Sequence, residues 1–154
     1  MQLREYGRKL TKKKNKVVVD TGVLISAFAF GGTPETVARR ALSEMEICVS
    51  PKLLKEYRDV PLELMAEDEI DYVQLKALIS GVAAFVSNAK VIIPKKKLLI
   101  CRDTKDNMLL ECCSMAKADF LITGDKDLLD IEISKLPKEL AKLKIVTPRR
   151  FLEL

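Results

Sequence analysis

Apolar residues follow two alternating rhythms along this chain. Solid short runs stand at Val17-Val18-Val19, Ile47-Cys48-Val49, Val91-Ile92-Ile93, Phe120-Leu121-Ile122 and Ile145-Val146, and between them apolar positions recur every three or four residues. Consecutive apolar positions are those of a strand covered on both faces, and a spacing of three to four is that of an amphipathic helix. The pattern predicts strands over residues 16–20, 46–50, 90–93, 119–123 and 144–147. It predicts helices over 22–29, 33–45 and 51–60, a longer one over 68–86 with Ile70, Val73, Leu75, Leu78, Ile79, Val82 and Phe85 on its apolar face, and one opening at Asp103. A short helix follows Gly124.

Local punctuation sharpens these boundaries. Gly31-Gly32 breaks the first helix, and Thr33-Pro34 restarts the chain with Thr33 as N-cap and proline in the first helical position. Ser50-Pro51 repeats that signal, and Pro61 is expected to end the helix it opens. Strands alternating with helices make βαβ units, so the fold class is α/β: a three-layer α/β/α sandwich around a mostly parallel sheet of about five strands.

The chain has 154 residues, the size of one domain that buries roughly two-thirds of its unfolded surface. Its net charge of +5 is unevenly spread: residues 1–16 carry seven Lys or Arg against Glu5 alone, and the remainder is close to neutral. Residues 1–15 therefore read as a flexible basic tail, with Lys12, Lys13 and Lys14 able to touch phosphates, and residues 16–154 as a single domain. The basic start followed by an apolar run imitates a signal peptide, but Asp20 interrupts a run too short to span a bilayer. The expectation is a soluble cytoplasmic protein with no membrane partner.

Histidine is absent, which removes Ser-His-Asp and Cys-His nucleophile systems and His-based zinc chemistry. The four cysteines, Cys48, Cys101, Cys112 and Cys113, form no C-x2-C pair and read as small buried thiols. With aromatic residues at 5% and no Trp, base-stacking platforms are excluded as the main mode of nucleic-acid binding. Carboxylates remain.

Parallel strands joined by right-handed crossovers bring their C-terminal ends to one rim, where the following helices begin. Asp20 ends the first strand, Asp125 follows the fourth, Asp106 opens the helix that feeds the fourth, and Glu56 lies under two turns into the helix after the second. Asp103 and Asp127 stand close by. Taken singly, Asp103, Asp106, Asp125 and Asp127 also read as helix caps or first-turn acids, and Glu56 as a solvated helix residue. Asp20 resists that reading, because a strand end among valines is a costly place for an unpaired carboxylate. Several carboxylates at one rim repel one another unless a cation offsets them, and oxygen ligands with no histidine and no cysteine nearby select Mg2+ or Mn2+. Such a site suits hydrolysis at phosphorus.

The stretches VVVDTGVLISAFAFGGTP, SPKLLKEYRDV, CRDTKDNMLLECCSMAKADFLITGDKDLL and IVTPRRFLEL, in that order and spacing, resemble PIN-domain nucleases from Val17 to Leu154, and most of all the prokaryotic VapC-like toxin components of toxin-antitoxin systems. The resemblance implies a Mg2+- or Mn2+-dependent endoribonuclease, a hydrolase of RNA phosphodiester bonds. It implies Asp20, Glu56, Asp106 and Asp125 as catalytic residues, with Asp20, Asp106, Asp125 and Asp127 as metal ligands. Thr21, Asn107 and Thr123 match supporting positions, and Lys126 with the basic tail would hold RNA. An antitoxin protein and a second copy of the chain are the implied partners. Gly22 stands where the pattern usually carries Asn, which removes an amide beside the metal position. Two other readings stay open. A phosphatase would use acids at strand ends, though D-x-D-x-T is absent after the first strand, and a catalytically silent PIN-like domain would bind RNA or a partner. An RNA-processing nuclease outside any toxin-antitoxin module shares the same chemistry.

Overall fold

The structure is a computed structural model that describes residues 13–154. Lys12 and most of the expected basic tail lie outside the described residues. Five strands, β1 (Lys16–Val19), β2 (Glu46–Val49), β3 (Lys90–Val91), β4 (Phe120–Ile122) and β5 (Lys144–Val146), form one sheet in the order β3-β2-β1-β4-β5. Every neighbouring pair is parallel. β1 is central, and its three valines are fully buried, which is why the run is apolar at every position.

Chain order explains the layers. β1 to β2 to β3 steps one way across the sheet, and the return to β4 and on to β5 steps the other way. Right-handed crossovers then place the helices of the two halves on opposite faces. The first half carries α1 (Thr21–Ile25), which runs into a π-helical turn over Ser26–Phe30, then α2 (Thr33–Glu44), α3 (Pro51–Ala66) and α4 (Tyr72–Val86). The second carries α5 (Thr104–Ala116) and α6 (Lys126–Leu129), and α7 (Pro148–Leu152) closes the chain. The expected α/β sandwich around a parallel five-stranded sheet is the fold observed.

Several boundaries differ from expectation for physical reasons. α3 does not stop at Pro61 but continues to Ala66. Leu53, Tyr57 and Pro61 are spaced by one turn on its buried stripe, and the extra turn carries Leu64 and Met65 onto a second apolar cluster with Ile70, Leu75 and Leu78. That packing offsets the hydrogen bond a helical proline forfeits. Gly32, not Thr33, occupies the N-cap of α2, since the reversal after Phe30 needs φ of +80° at Gly31 and +73° at Gly32. α4 opens at Tyr72, where Asp71 accepts from Gln74 N at 2.7 Å and Gln74 Oε1 accepts from Asp71 N at 3.0 Å, a reciprocal capping box. β3 is a two-residue edge strand. Among the described residues no helix is long and apolar enough to cross a membrane.

Candidate metal centre

The register of β1 against β4 builds the site. Val19 pairs with Ile122, so the residues that follow, Asp20 and Thr123, emerge side by side at the strand ends. Helices leave β1 and β4 toward opposite faces, which opens a crevice between them. Thr123 is fully buried; its hydroxyl donates to Asp20 Oδ2 at 2.7 Å and accepts from Asp125 N at 3.0 Å. One hydroxyl thus ties both strand ends together.

Asp20 precedes α1 in N-cap position, yet its side chain makes no capping bond. Ser50, Asp71, Asp103, Asp125 and Thr147 all accept from the helices they precede. Burial pushes the Asp20 carboxyl above its ordinary range; the Thr123 hydroxyl opposes that rise, and the charges of Glu56 and Asp125 add to it.

α3 brings in Glu56 by way of its neighbour. The Tyr57 hydroxyl, buried beneath the sheet edge, donates to the Val19 carbonyl and pins α3 to the end of β1. Glu56 then accepts from Thr21 Oγ1 at 2.7 Å.

Asp106 is 4% exposed on the first turn of α5, and its Oδ2 is buried with no hydrogen-bond partner among the described residues. Burial first, then the adjoining Asp125 carboxyl, push its pKa up to about 7. One carboxylate oxygen from each of Asp106, Asp125 and Asp127 lies within 4.8 Å of the other two. Asp20 and Glu56 stand beside this trio rather than in it. Asp127 also accepts from Arg102 Nη2 through both oxygens, at 3.0 and 3.2 Å, and its N–H donates to Asp125 Oδ1 at 2.9 Å.

Asn107 holds the loop in front of the cluster. Its Oδ1 accepts from Ile100 N at 3.0 Å and Cys101 N at 2.7 Å, while its amide donates to the Cys101 carbonyl at 3.1 Å. The loop brings in two residues that no sequence motif assigns to the site, Arg102 and Cys101. The expectation of no cysteine nearby is corrected here: Cys101 lies within reach of the acids. Burial, then the charges of Asp106, Asp125 and Asp127, push its thiol up to about 11, so at neutral pH it is a thiol and not a metal-binding thiolate. No spacing rule links position 101 to an acid cluster, which is why the sequence conceals it.

The remaining expected residues divide by rim. Lys126 is exposed on α6 between Asp125 and Asp127. Lys13 and Lys14 are exposed just before β1, and so lie at the sheet rim opposite the acids.

A buried, partnerless carboxylate oxygen beside two further carboxylates is a donor set that fits a hard divalent cation. A family model for the PIN domain matches residues 16–127. The chain belongs to the PIN domain family. The chain is also similar to an uncharacterised protein of Methanocaldococcus jannaschii, 32% identical over 150 residues and covering 94% of each chain. The fold is also similar to a chain in the crystal structure of VapBC2 from Rickettsia felis bound to a DNA fragment from their promoter. That match has a TM-score of 0.53 at 13% identity and covers 86% of this chain and 98% of that one.

Proposed function

We propose that this PIN domain is a divalent-metal-dependent endoribonuclease. The observation that carries the reading is Asp106: a carboxyl buried against Asp125, with one oxygen lacking a partner among the described residues, gives up its proton more readily with a cation beside it. Asp106 and Asp125, with Asp20 and Asp127, would hold Mg2+ or Mn2+. The bound ion would lower the pKa of a water and offset charge on the phosphate.

The chain's own residues supply the rest. Thr123 keeps Asp20 and Asp125 in one orientation, and the Thr21 to Glu56 hydrogen bond sets the glutamate where it can accept a proton from an attacking water. Asn107 fixes the loop that carries Arg102, whose guanidinium is free to leave the partly exposed Asp127 for a phosphate. Lys126 would contact the same strand.

Likeness to the VapBC2 complex supports a toxin held by an antitoxin partner. Tyr72, Val73 and Ile79, exposed on α4, favour a homodimer, which light scattering would reveal as twice the chain mass. The deciding experiment incubates purified protein with labelled single-stranded RNA in Mn2+ or Mg2+. Internal cleavage is expected from the wild type and none from Asp20→Asn or Asp106→Asn. Equal cleavage by these variants would overturn the reading.

A further inference from the structure

Beyond the acid cluster, the same rim carries a second charged feature of opposite sign. Two adjoining hollows of about 300 Å³ each run between the start of α3 and residues 93–111, and Lys52, Lys97, Met108 and Glu111 border both. Lys95 and Lys105 complete the lysines that line them without a carboxylate partner among the described residues; Lys96 is engaged by Glu139 at 3.2 Å. Among the described residues that line the hollows, Glu111 is the single carboxylate, and it accepts from Leu98 N at 2.9 Å. Buried Met108 and the exposed side chain of Ile93 add apolar surface to the lining.

Position along the chain joins this groove to the acids. Lys105 immediately precedes Asp106, Asn107 borders the first hollow, and Lys52 sits one helical turn before Glu56 on the same face of α3. Lysine ammonium groups on flexible stems suit phosphates that pass without a fixed base sequence, and apolar surface between them suits the sugar or base.

We propose that this groove carries the single-stranded RNA that flanks the scissile bond, with Lys52, Lys97 and Lys105 contacting successive phosphates. The inference rests on the ribonuclease reading for its ligand and is separable from it by experiment.

The test is fluorescence anisotropy of a labelled single-stranded RNA with the full chain in EDTA, where binding is read without cleavage. The Lys52→Gln, Lys97→Gln, Lys105→Gln triple variant is expected to bind about tenfold more weakly near 50 mM salt, and the slope of log affinity against log salt should fall by about 2, near 0.7 for each phosphate that is no longer neutralised. A charge-matched control, Lys76→Gln with Lys138→Gln and Lys142→Gln, should bind as wild type. Wild-type affinity and slope in the groove variant would overturn the proposal. So would unchanged RNA binding with lost affinity for an oligoglutamate peptide, which would make the groove a protein-docking face. Lysine-dependent binding by a protein that never cleaves RNA would uphold the groove and sink the nuclease reading; metal-dependent cleavage with lysine-independent binding would do the reverse.

Discussion

The two rims of the sheet each carry aspartate, and they treat it in opposite ways. At the rim where strands begin, Asp119 is positioned to accept from Lys16 N at 2.8 Å, while its own N–H donates to the Lys16 carbonyl. Solvent reaches this carboxylate, and it stitches β1 to β4. At the rim where strands end, Asp106 is buried and Asp20 half-buried among other acids, and Asp106 has an oxygen with no hydrogen-bond partner among the described residues. What separates the structural acid from the chemical ones here is that Asp119 stays in water with a donor to accept from, whereas Asp106 gives up water for an oxygen without one. A chain that leaves such a cost uncompensated by its own residues has left room for a ligand.

The strongest way to break this comparison is to neutralise one acid on each rim. Asp20→Asn should reduce RNA cleavage in Mn2+ to background, whereas Asp119→Asn should leave it within about twofold and lower stability by about 1 kcal/mol, the scale of one net hydrogen bond. Equal losses of cleavage in both variants would mean that the rims are not chemically distinct.

A second test acts on the loop that faces the acids. Asn107→Ala removes three hydrogen bonds from a residue 5% exposed and leaves backbone groups of Ile100 and Cys101 unpaired. The expected destabilisation is about 2–4 kcal/mol in urea titrations. Cleavage should fall further than stability predicts, because Arg102 loses its anchor. A variant as stable and as active as wild type would show that the loop is held by other means.

Titration sharpens the comparison without mutation. The Asp106 carboxyl is raised from 3.8 to about 7, so between those values the native protein holds a proton that the unfolded chain has released. Stability of the metal-free protein should therefore fall as pH rises from about 4 to 7. Metal binding must expel that proton, so Mn2+ affinity should climb over the same range, and at a hundredfold excess over Kd the ion should add about 2.7 kcal/mol. Calorimetry in EDTA and in Mn2+ reads both slopes. In Asp106→Asn the fall with pH should shrink to what the raised Asp20 carboxyl contributes, while in Asp119→Asn it should persist in full.

The smallest effect is expected at Gly22. A Cβ built there meets nothing within 4 Å, and the residue lies within α1, so Gly22→Ala should stabilise by up to about 1 kcal/mol. Gly22→Asn meets nothing at its Cβ either, and an amide beside Asp20 should tighten Mn2+ binding. Unchanged metal affinity would mean that this position does not face the ion.

Much of the molecule is legible in its sequence because local rules and tertiary packing agree. Val17 to Val19 read as a doubly covered strand and are one, and Ser50-Pro51 opens a helix as its side chain dictates. The convergence of Asp20, Asp106 and Asp125 on one rim follows from parallel topology alone. Pro61 misleads because its local penalty is smaller than the gain from extending a buried stripe. Lys13 and Lys14 suggest an RNA contact by their charge, but charge along the chain does not say which rim it reaches; Lys52 and Lys105 escape notice in the sequence for the same reason.

The order of residues by itself determined the alternation of strands and helices, the strand ends that bear acids and the family to which the chain belongs, since each depends on local spacings or on motifs in chain order. Only the tertiary structure decided which acids share an oxygen cluster, that Asp106 has an unsatisfied oxygen while Asp103 caps a helix, and that Cys101 and Arg102 join them. Those outcomes turn on burial and distances of a few ångströms between segments far apart in the chain, and no local pattern encodes either.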